Sequence, residues 1–250
     1  CADQNAAIPF LSEAYRTVLG AVDEKGRVIV GRLASHHDDV QVIVPRRLEG
    51  PQVTLFGPPD SAKMAINAMN ELHRKLPEEP AIVSELVEAS GAVPRWGADV
   101  EDSKTPLIED LLEACRNLKG CYEGTLAFED SAKGRRYDLV DKGRSLPIKR
   151  IPGLALPDGN HIFEGAPLPL HLFDFALHLY HNWRREESLV FYVPKLENEE
   201  EAAYLKSMIG EAESQLKAIF PEYVLGSVRL FIVFENPRAI FRIREIANTL

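Results

Sequence analysis

The stretch that decides the fold is SLVFYVPKLENEEEAAYLKSMIGEAESQLKAIF, residues 188–220. It opens with a short, nearly unbroken apolar run and continues with apolar residues at the three- and four-residue spacing of a helix. The acidic run ENEEEAA between the two parts is typical of a helix start, because carboxylates interact favourably with the positive end of the helix dipole. The stretch therefore predicts a buried strand followed by an amphipathic helix.

Four more strand-then-helix units are visible from residue 51 onward. Their strands are QVTLFGPPD, PRWGADVEDS, SLPIKRIPG and GSVRLFIVFENP. Repeated units of this kind, with largely apolar strands, predict parallel strands covered by helices. No strand is followed by GxGxxG or GxxxxGK[ST], which argues against the nucleotide-binding open sheets. We therefore predict an α/β fold of the (β/α) TIM-barrel type, with about five of its eight strand-helix units in this chain.

The chain divides into two parts by pattern. Residues 1–50 indicate a small N-terminal α/β layer of one helix and short strands, and residues 51–250 form the partial barrel. Within the barrel, residues 121–140 predict a hairpin insertion with Lys133-Gly134 near its turn. The helix before the hairpin is expected to end at Gly120. A barrel wall with open edge strands would favour self-association through those edges.

Composition excludes several classes of function. The 250 residues are 45% hydrophobic and 27% charged, as in ordinary globular proteins, and the formal net charge of −9 argues against nucleic acid as a partner. No apolar stretch reaches the ~18 residues of a membrane span. Cys1, Cys115 and Cys121 show no zinc spacing, so we predict reduced thiols and a cytoplasmic location. Cys1 in place of a starting Met indicates a fragment rather than a cleaved lipoprotein, since no signal sequence is visible.

Charged residues collect where the predicted strands end. Asp99 and Glu101 follow one strand, Arg150 ends the next, Lys195 follows a third and Glu235 follows the last. In a parallel barrel these ends open on one face, where active sites form. Two carboxylates on one side of a strand repel each other unless a cation lies between them, and oxygen ligands without His or Cys favour magnesium. Strand ends also meet solvent, but acid, arginine, lysine and acid on four successive strands favour an active-site face.

Five segments carry a resemblance to a known family. They are RRLEGPQVTLFGPPDSAKMAINAMN, GADVEDSKTP, KRIPGLALPDGNHIFEGAPLPLHLFDFALHLYHN, FYVPKLENEEEA and LFIVFENPRAIFRIREI. In order and spacing they resemble malate synthase, in the superfamily that includes the citrate-lyase-type aldolases. The resemblance covers roughly residues 46–249. It implies a magnesium-dependent acyltransferase that condenses acetyl-CoA with glyoxylate to malate and CoA in the glyoxylate cycle.

The resemblance also implies roles for individual residues. Arg150 falls on the catalytic arginine that stabilises the enolate, and Glu235 falls on a magnesium ligand. Asp99 and Glu101 fall on the acidic pair beside the metal. A wall for acetyl-CoA and the active site is implied at Gly153, Leu154, Pro194 and Lys195.

Departures from the family pattern keep two alternatives open. Pro152 stands where the family has a second arginine, and the family's second metal aspartate and its catalytic base would lie beyond Leu250. One alternative is a carbon–carbon lyase or aldolase of the same superfamily, acting on an acyl-CoA or a 2-oxo acid. The other is a catalytically inactive fragment or a non-enzymatic binding or assembly subunit.

Overall fold

A computed structural model describes residues 55–71, 80–90, 94–104 and 106–250. The N-terminal layer predicted for residues 1–50 lies outside the described residues. Among the helices that are described, none is both long and apolar enough to cross a membrane.

The core of the fold is a five-stranded parallel sheet. Its strands are β1 (Leu55–Gly57), β2 (Arg95–Ala98), β5 (Leu146–Arg150), β8 (Val190–Val193) and β9 (Arg229–Ile232). Their order in space follows their order along the chain, and each neighbouring pair is parallel. A doubly wound sheet would reverse its strand order at a switch point, whereas a barrel wall adds each strand beside the last. The prediction of five units of a TIM-type barrel is confirmed, and within the described residues β1 and β9 are the open edges.

One or two helices follow each strand of this sheet along the chain. They are α1 (Ala62–Glu71), α2 (Ala81–Ser90), α3 (Ile108–Glu123), α4 (Leu170–Asn182), α5 (Glu199–Ile219), α6 (Pro237–Phe241) and α7 (Ile243–Thr249), with a 3-10 turn at Glu186–Leu189. The start of α5 shows why its sequence is helical. The Asn198 side chain accepts the N–H of Glu201 at 2.8 Å, and three glutamates occupy the first turn. Both features stabilise a helix N-terminus.

The end of α3 differs from the sequence prediction. The helix continues past Gly120 to Glu123, and Gly124 is its cap, with a left-handed φ of 74° that suits glycine. Gly120 remains helical because the chain turns only after it, where its carbonyl accepts the N–H of Thr125 at 2.9 Å. The antiparallel hairpin that follows, β3 (Ala127–Asp130) and β4 (Arg135–Asp138), lies within the range of 121–140. A second hairpin, β6 (Pro157–Phe163) and β7 (Ala166–Pro169), was not predicted.

The sheet has one face covered by helices. On this face Trp96 Nε1 donates to Met69 Sδ of α1 at 3.2 Å, and the rings of Phe175 of α4 and Phe191 of β8 lie 4.8 Å apart. Both Trp96 and Phe191 are almost completely buried. Residues of the strands therefore alternate between the helix layer and the opposite face.

The opposite face is concave. We define it by the residues that the strand register places there, which are Phe56, Gly97, Ile148, Arg150 and Tyr192. Two strands separate β1 from β8, so a flat sheet would hold them about 14 Å apart. The rings of Phe56 and Tyr192 nevertheless meet, with centroids 5.3 Å apart. A Cβ on Gly97 would lie 2.4 Å from the Phe56 ring, so a larger residue there would displace the ring.

A buried carboxylate fixes the approach to β9. Glu213 of α5 is 5% exposed and accepts the Tyr223 hydroxyl at 2.6 Å and the N–H groups of Gly226 and Ser227, each at 3.0 Å. Burial, followed by the bond to Glu213, raises the pKa of Tyr223, so this hydroxyl stays a donor. The loop that leads into β9, and thus toward Glu235, is held by these bonds.

Candidate functional site at the carboxyl ends of the strands

Arg150 is the centre of the candidate site. It ends β5 on the concave face and is 3% exposed. Its Nη1 lies 2.9 Å from Asp99 Oδ2 and 2.8 Å from Asp102 Oδ2, and its Nη2 lies 3.0 Å from Glu101 Oε2. The structure thus brings the predicted arginine and acidic pair together and adds a third carboxylate.

A turn after β2 gathers these carboxylates. Asp99 Oδ1 accepts the N–H groups of Glu101 at 2.9 Å and Asp102 at 3.2 Å. A side chain that binds the backbone two and three residues onward replaces the pleat of a strand with a turn. Alternation along an extended strand would have sent Asp102 away from Asp99 and Glu101. The turn instead brings all three acids to Arg150, and for this reason the sequence analysis missed Asp102.

Lys195 closes the cluster from the end of β8. Its Nζ lies 2.6 Å from Glu101 Oε1 and 3.1 Å from Asp102 Oδ1, while Arg150 holds the other oxygen of each carboxylate. Two cations and two carboxylates therefore form a closed ring of alternating charge. The bond from Arg150 lowers the pKa of Asp102, and the bond to Glu101 raises the pKa of Lys195. Both groups stay charged at neutral pH.

The backbone of Lys195 also reaches Glu235. Its φ of 59° is left-handed, a conformation that costs a non-glycine residue on the order of 1 kcal/mol. In this conformation the Lys195 N–H donates to Glu235 Oε1 at 2.6 Å. Glu235 itself is exposed and precedes Asn236, which caps α6 by accepting the N–H of Ala239 at 2.8 Å. Glu235, the acid predicted after the last strand, is thus hydrogen-bonded to a residue of the charged ring.

The four residues predicted to form a substrate wall have different surroundings. The Gly153 N–H donates to Glu101 Oε2 at 2.9 Å, so Gly153 and Lys195 both touch the cluster. Pro194 is buried directly before Lys195. Leu154 instead lines a neighbouring cavity of about 570 Å³ together with the hydrogen-bonded pair His171 and Tyr204. The role of Gly153, Leu154, Pro194 and Lys195 in binding substrate stays a prediction.

The donor set bears on the predicted magnesium ion. In the part of the chain that the structure describes, no three or more His, Cys, Asp or Glu side chains are grouped so that they could hold a metal. Asp99 and Glu101 use all four oxygens on Arg150, Lys195 and backbone N–H groups. Glu235 keeps one oxygen that bonds to no described residue.

Charge and chemistry nevertheless suit a divalent cation. Two cations, Arg150 and Lys195, stand against four carboxylates in this cluster, which leaves a formal charge of −2. The carboxylates are those of Asp99, Glu101, Asp102 and Glu235. Magnesium commonly takes one or two protein carboxylates, and water or substrate completes its shell. Magnesium would fit these residues with Glu235 as its ligand, while Asp99 and Glu101 stay bound to Arg150.

Tyr192 of β8 is a further residue that the sequence analysis missed. The register pairs it with Arg150, and its ring lies 5.8 Å from the guanidinium carbon. Burial, and then the charge of Glu235, raises the pKa of Tyr192. The signal that could have found it is strand register, because residues paired across neighbouring parallel strands share a face.

Comparison with known proteins places these residues in a family context. Residues 147–250 match the family model described as malate synthase, TIM barrel domain. Malate synthase of Oryza sativa subsp. japonica is 30% identical over 214 residues, covering 83% of this chain and 33% of the rice protein. Glyoxysomal malate synthases of Gossypium hirsutum and Ricinus communis are each 31% identical, covering 68% and 70% of this chain and 33% of their own length. The chain spans about one third of the length of these relatives.

Proposed function

We propose that this chain, a divergent member of the malate synthase family, takes part in the condensation of acetyl-CoA with glyoxylate to malate and CoA. The observation that carries the proposal is the buried guanidinium of Arg150 at the end of β5. The resemblance assigns Arg150 to the family's catalytic arginine, and three carboxylates hold its guanidinium in place. An arginine that only met solvent at a strand end would not need three carboxylates to hold its guanidinium.

The chemistry follows from a cation held in place before the reaction. Removal of a methyl proton from an acyl thioester creates negative charge on the thioester oxygen. A guanidinium whose position is fixed in advance stabilises that charge with little reorganisation. Arg150 is suited to this role because its charge is permanent and its fork is locked by Asp99 and Glu101. We assign no catalytic base among the described residues.

The charge of the cluster explains why a metal is part of the proposal. With a formal charge of −2, the cluster by itself repels an anionic acceptor such as glyoxylate. We propose magnesium as the cofactor, with Glu235 as the ligand that this chain contributes. When bound, the ion would polarise the acceptor carbonyl and offset the negative charge.

Free-thiol release from acetyl-CoA tests the proposal. With glyoxylate and Mg²⁺ present, we expect release that needs both substrates and falls at least about 100-fold in Arg150→Lys. Lysine keeps the charge but cannot span two carboxylates, so circular dichroism must accompany the assay to verify folding. Cleavage of a 3-hydroxyacyl-CoA without condensation would favour the lyase alternative. No reaction with any acyl-CoA would favour the binding or assembly subunit.

Magnesium binding gives a second test that does not depend on turnover. Calorimetric titration should show Mg²⁺ affinity that drops at least about tenfold in Glu235→Gln, because the ligand loses its charge. Glu222→Gln is the matched control, since Glu222 is exposed and lies away from the ring in a 3.6 Å pair with Arg184. Equal affinity in wild type and Glu235→Gln would contradict the ligand assignment.

Location and partners remain predictions. The cytoplasmic location rests on the cysteine argument alone, and several relatives bear the name glyoxysomal malate synthase. The proposed partners are the small-molecule substrates and, through the edges of β1 and β9, a further copy of the chain.

A further inference from the structure

The hydrogen-bonding groups around Arg150 are nearly all in use. Both terminal nitrogens of its guanidinium bind carboxylates, and Lys195 binds Glu101 and Asp102. On the concave face, the Tyr192 hydroxyl is different, because it makes no hydrogen bond to any residue that the structure describes. A polar group without a protein partner beside a fixed cation is available to a ligand.

The position of this hydroxyl is set by three strands. Tyr192 belongs to β8, pairs in register with Arg150 of β5 and packs its ring edge-on against Phe56 of β1 at 5.3 Å. The Tyr192 side chain is partly buried. A ring held on two sides presents its hydroxyl in one place, as a substrate-positioning group must.

The chemistry of the phenol complements that of the cluster. The charged groups that act electrostatically on the phenol are Glu235, Arg150, Asp99 and Asp102, which together carry an excess of negative charge. A phenol that stays neutral can donate a hydrogen bond without adding to that excess. Its natural partner is a substrate oxygen, since Asp99 and Asp102 already have donors and the free oxygen of Glu235 is the one proposed to bind magnesium.

We infer that Tyr192 is a substrate-contact residue whose hydroxyl donates a hydrogen bond to an oxygen of the 2-oxo acid acceptor, with glyoxylate as the probe. The inference takes its acceptor from the proposed function and adds a residue to it. Tyr204 is not a rival, because its hydroxyl already bonds His171 Nε2 at 2.7 Å in the neighbouring cavity.

Binding of glyoxylate in the presence of Mg²⁺ tests the inference directly. We expect calorimetry to show affinity at least about tenfold weaker in Tyr192→Phe than in wild type, as loss of one donor to a charged acceptor predicts. Phenylalanine keeps the contacts with Phe56 and Arg150, so the unfolding temperature should not change. Tyr204→Phe is the matched control and should bind as wild type does. Equal affinity in Tyr192→Phe, or no binding by wild type, would overturn the inference.

Kinetics separate this inference from the proposed function. Where thiol release is measurable, Tyr192→Phe should raise the KM for glyoxylate more than it lowers kcat. Tyr192-dependent binding without thiol release would sink the proposed function alone. Thiol release with a KM unchanged in Tyr192→Phe would sink the inference alone.

Discussion

Replacement of Asp174 by asparagine should lower the free energy of unfolding by about 3–5 kcal/mol. Asp174 of α4 and Lys149 of β5 are each 1% exposed, and their Oδ2 and Nζ atoms lie 2.6 Å apart. Asparagine has nearly the same shape but no charge, so the variant leaves the Lys149 ammonium buried without a counter-charge. Urea unfolding measures the change, and Glu113→Gln, which breaks an exposed pair with Arg116, is a control expected to cost less than about 1 kcal/mol.

The apolar double variant Lys149→Met/Asp174→Leu should recover most or all of this loss. Taking two charges out of water costs free energy that their mutual attraction returns only in part, so apolar side chains of similar volume can replace the pair. If the double variant were as unstable as Asp174→Asn, the ion pair itself would contribute to stability and apolar packing could not replace it.

The same buried layer explains the histidines of α4. In the structure His178 Nε2 bonds the Ser188 carbonyl at 3.0 Å, while burial, and then the charge of Lys149, lowers the pKa of His178 to about 3. His171 bonds Tyr204, and burial lowers its pKa as well. Both therefore stay neutral at physiological pH.

Sequence patterns predicted the parallel wall because its central strands, β2, β5 and β8, are largely buried. β8 is an apolar run, β5 begins with one before Lys149 and Arg150, and the helices that follow repeat apolar residues at helical spacing. The hairpin of β6 and β7 escaped prediction for the opposite reason. Residues 157–163 are mostly exposed, so no buried face imposes alternation on them, and Pro157 and Gly159 favour a loop.

Part of the candidate site was accessible in the same way. The argument that parallel strand ends share one face predicted that Arg150, Asp99, Glu101, Lys195 and Glu235 lie together, and the contacts link them. Asp102 depends on a turn made by one side chain, and Tyr192 depends on which residues are paired between strands. Residue spacing predicts neither the turn nor the register, so the positions of Asp102 and Tyr192 became visible only in the structure.

Replacement of Arg150 by methionine should lower the free energy of unfolding by about 3–5 kcal/mol, in addition to abolishing any thiol release. Methionine fills a similar volume, but Asp99, whose side chain is 5% exposed, loses the cation that balances it, and Glu101, at 12%, keeps only Lys195. Arg136→Met is the matched control. Arg136 pairs with Glu129 and Asp138 on the exposed hairpin, so its loss should cost less than about 1 kcal/mol.

The dependence on pH distinguishes a lost ion pair from lost packing. Arg150 lowers the folded pKa of Asp102, so this contribution is present above the unfolded pKa of about 4 and is lost as pH falls through the folded value. The difference in stability between wild type and Arg150→Met should therefore shrink below pH 4. Adding Asp99→Asn to Arg150→Met should restore part of the stability, because one buried charge is removed. A difference that stays constant from pH 7 to pH 3, with no restoration by Asp99→Asn, would mean that Arg150 stabilises the fold by packing and that the ring of charges contributes nothing.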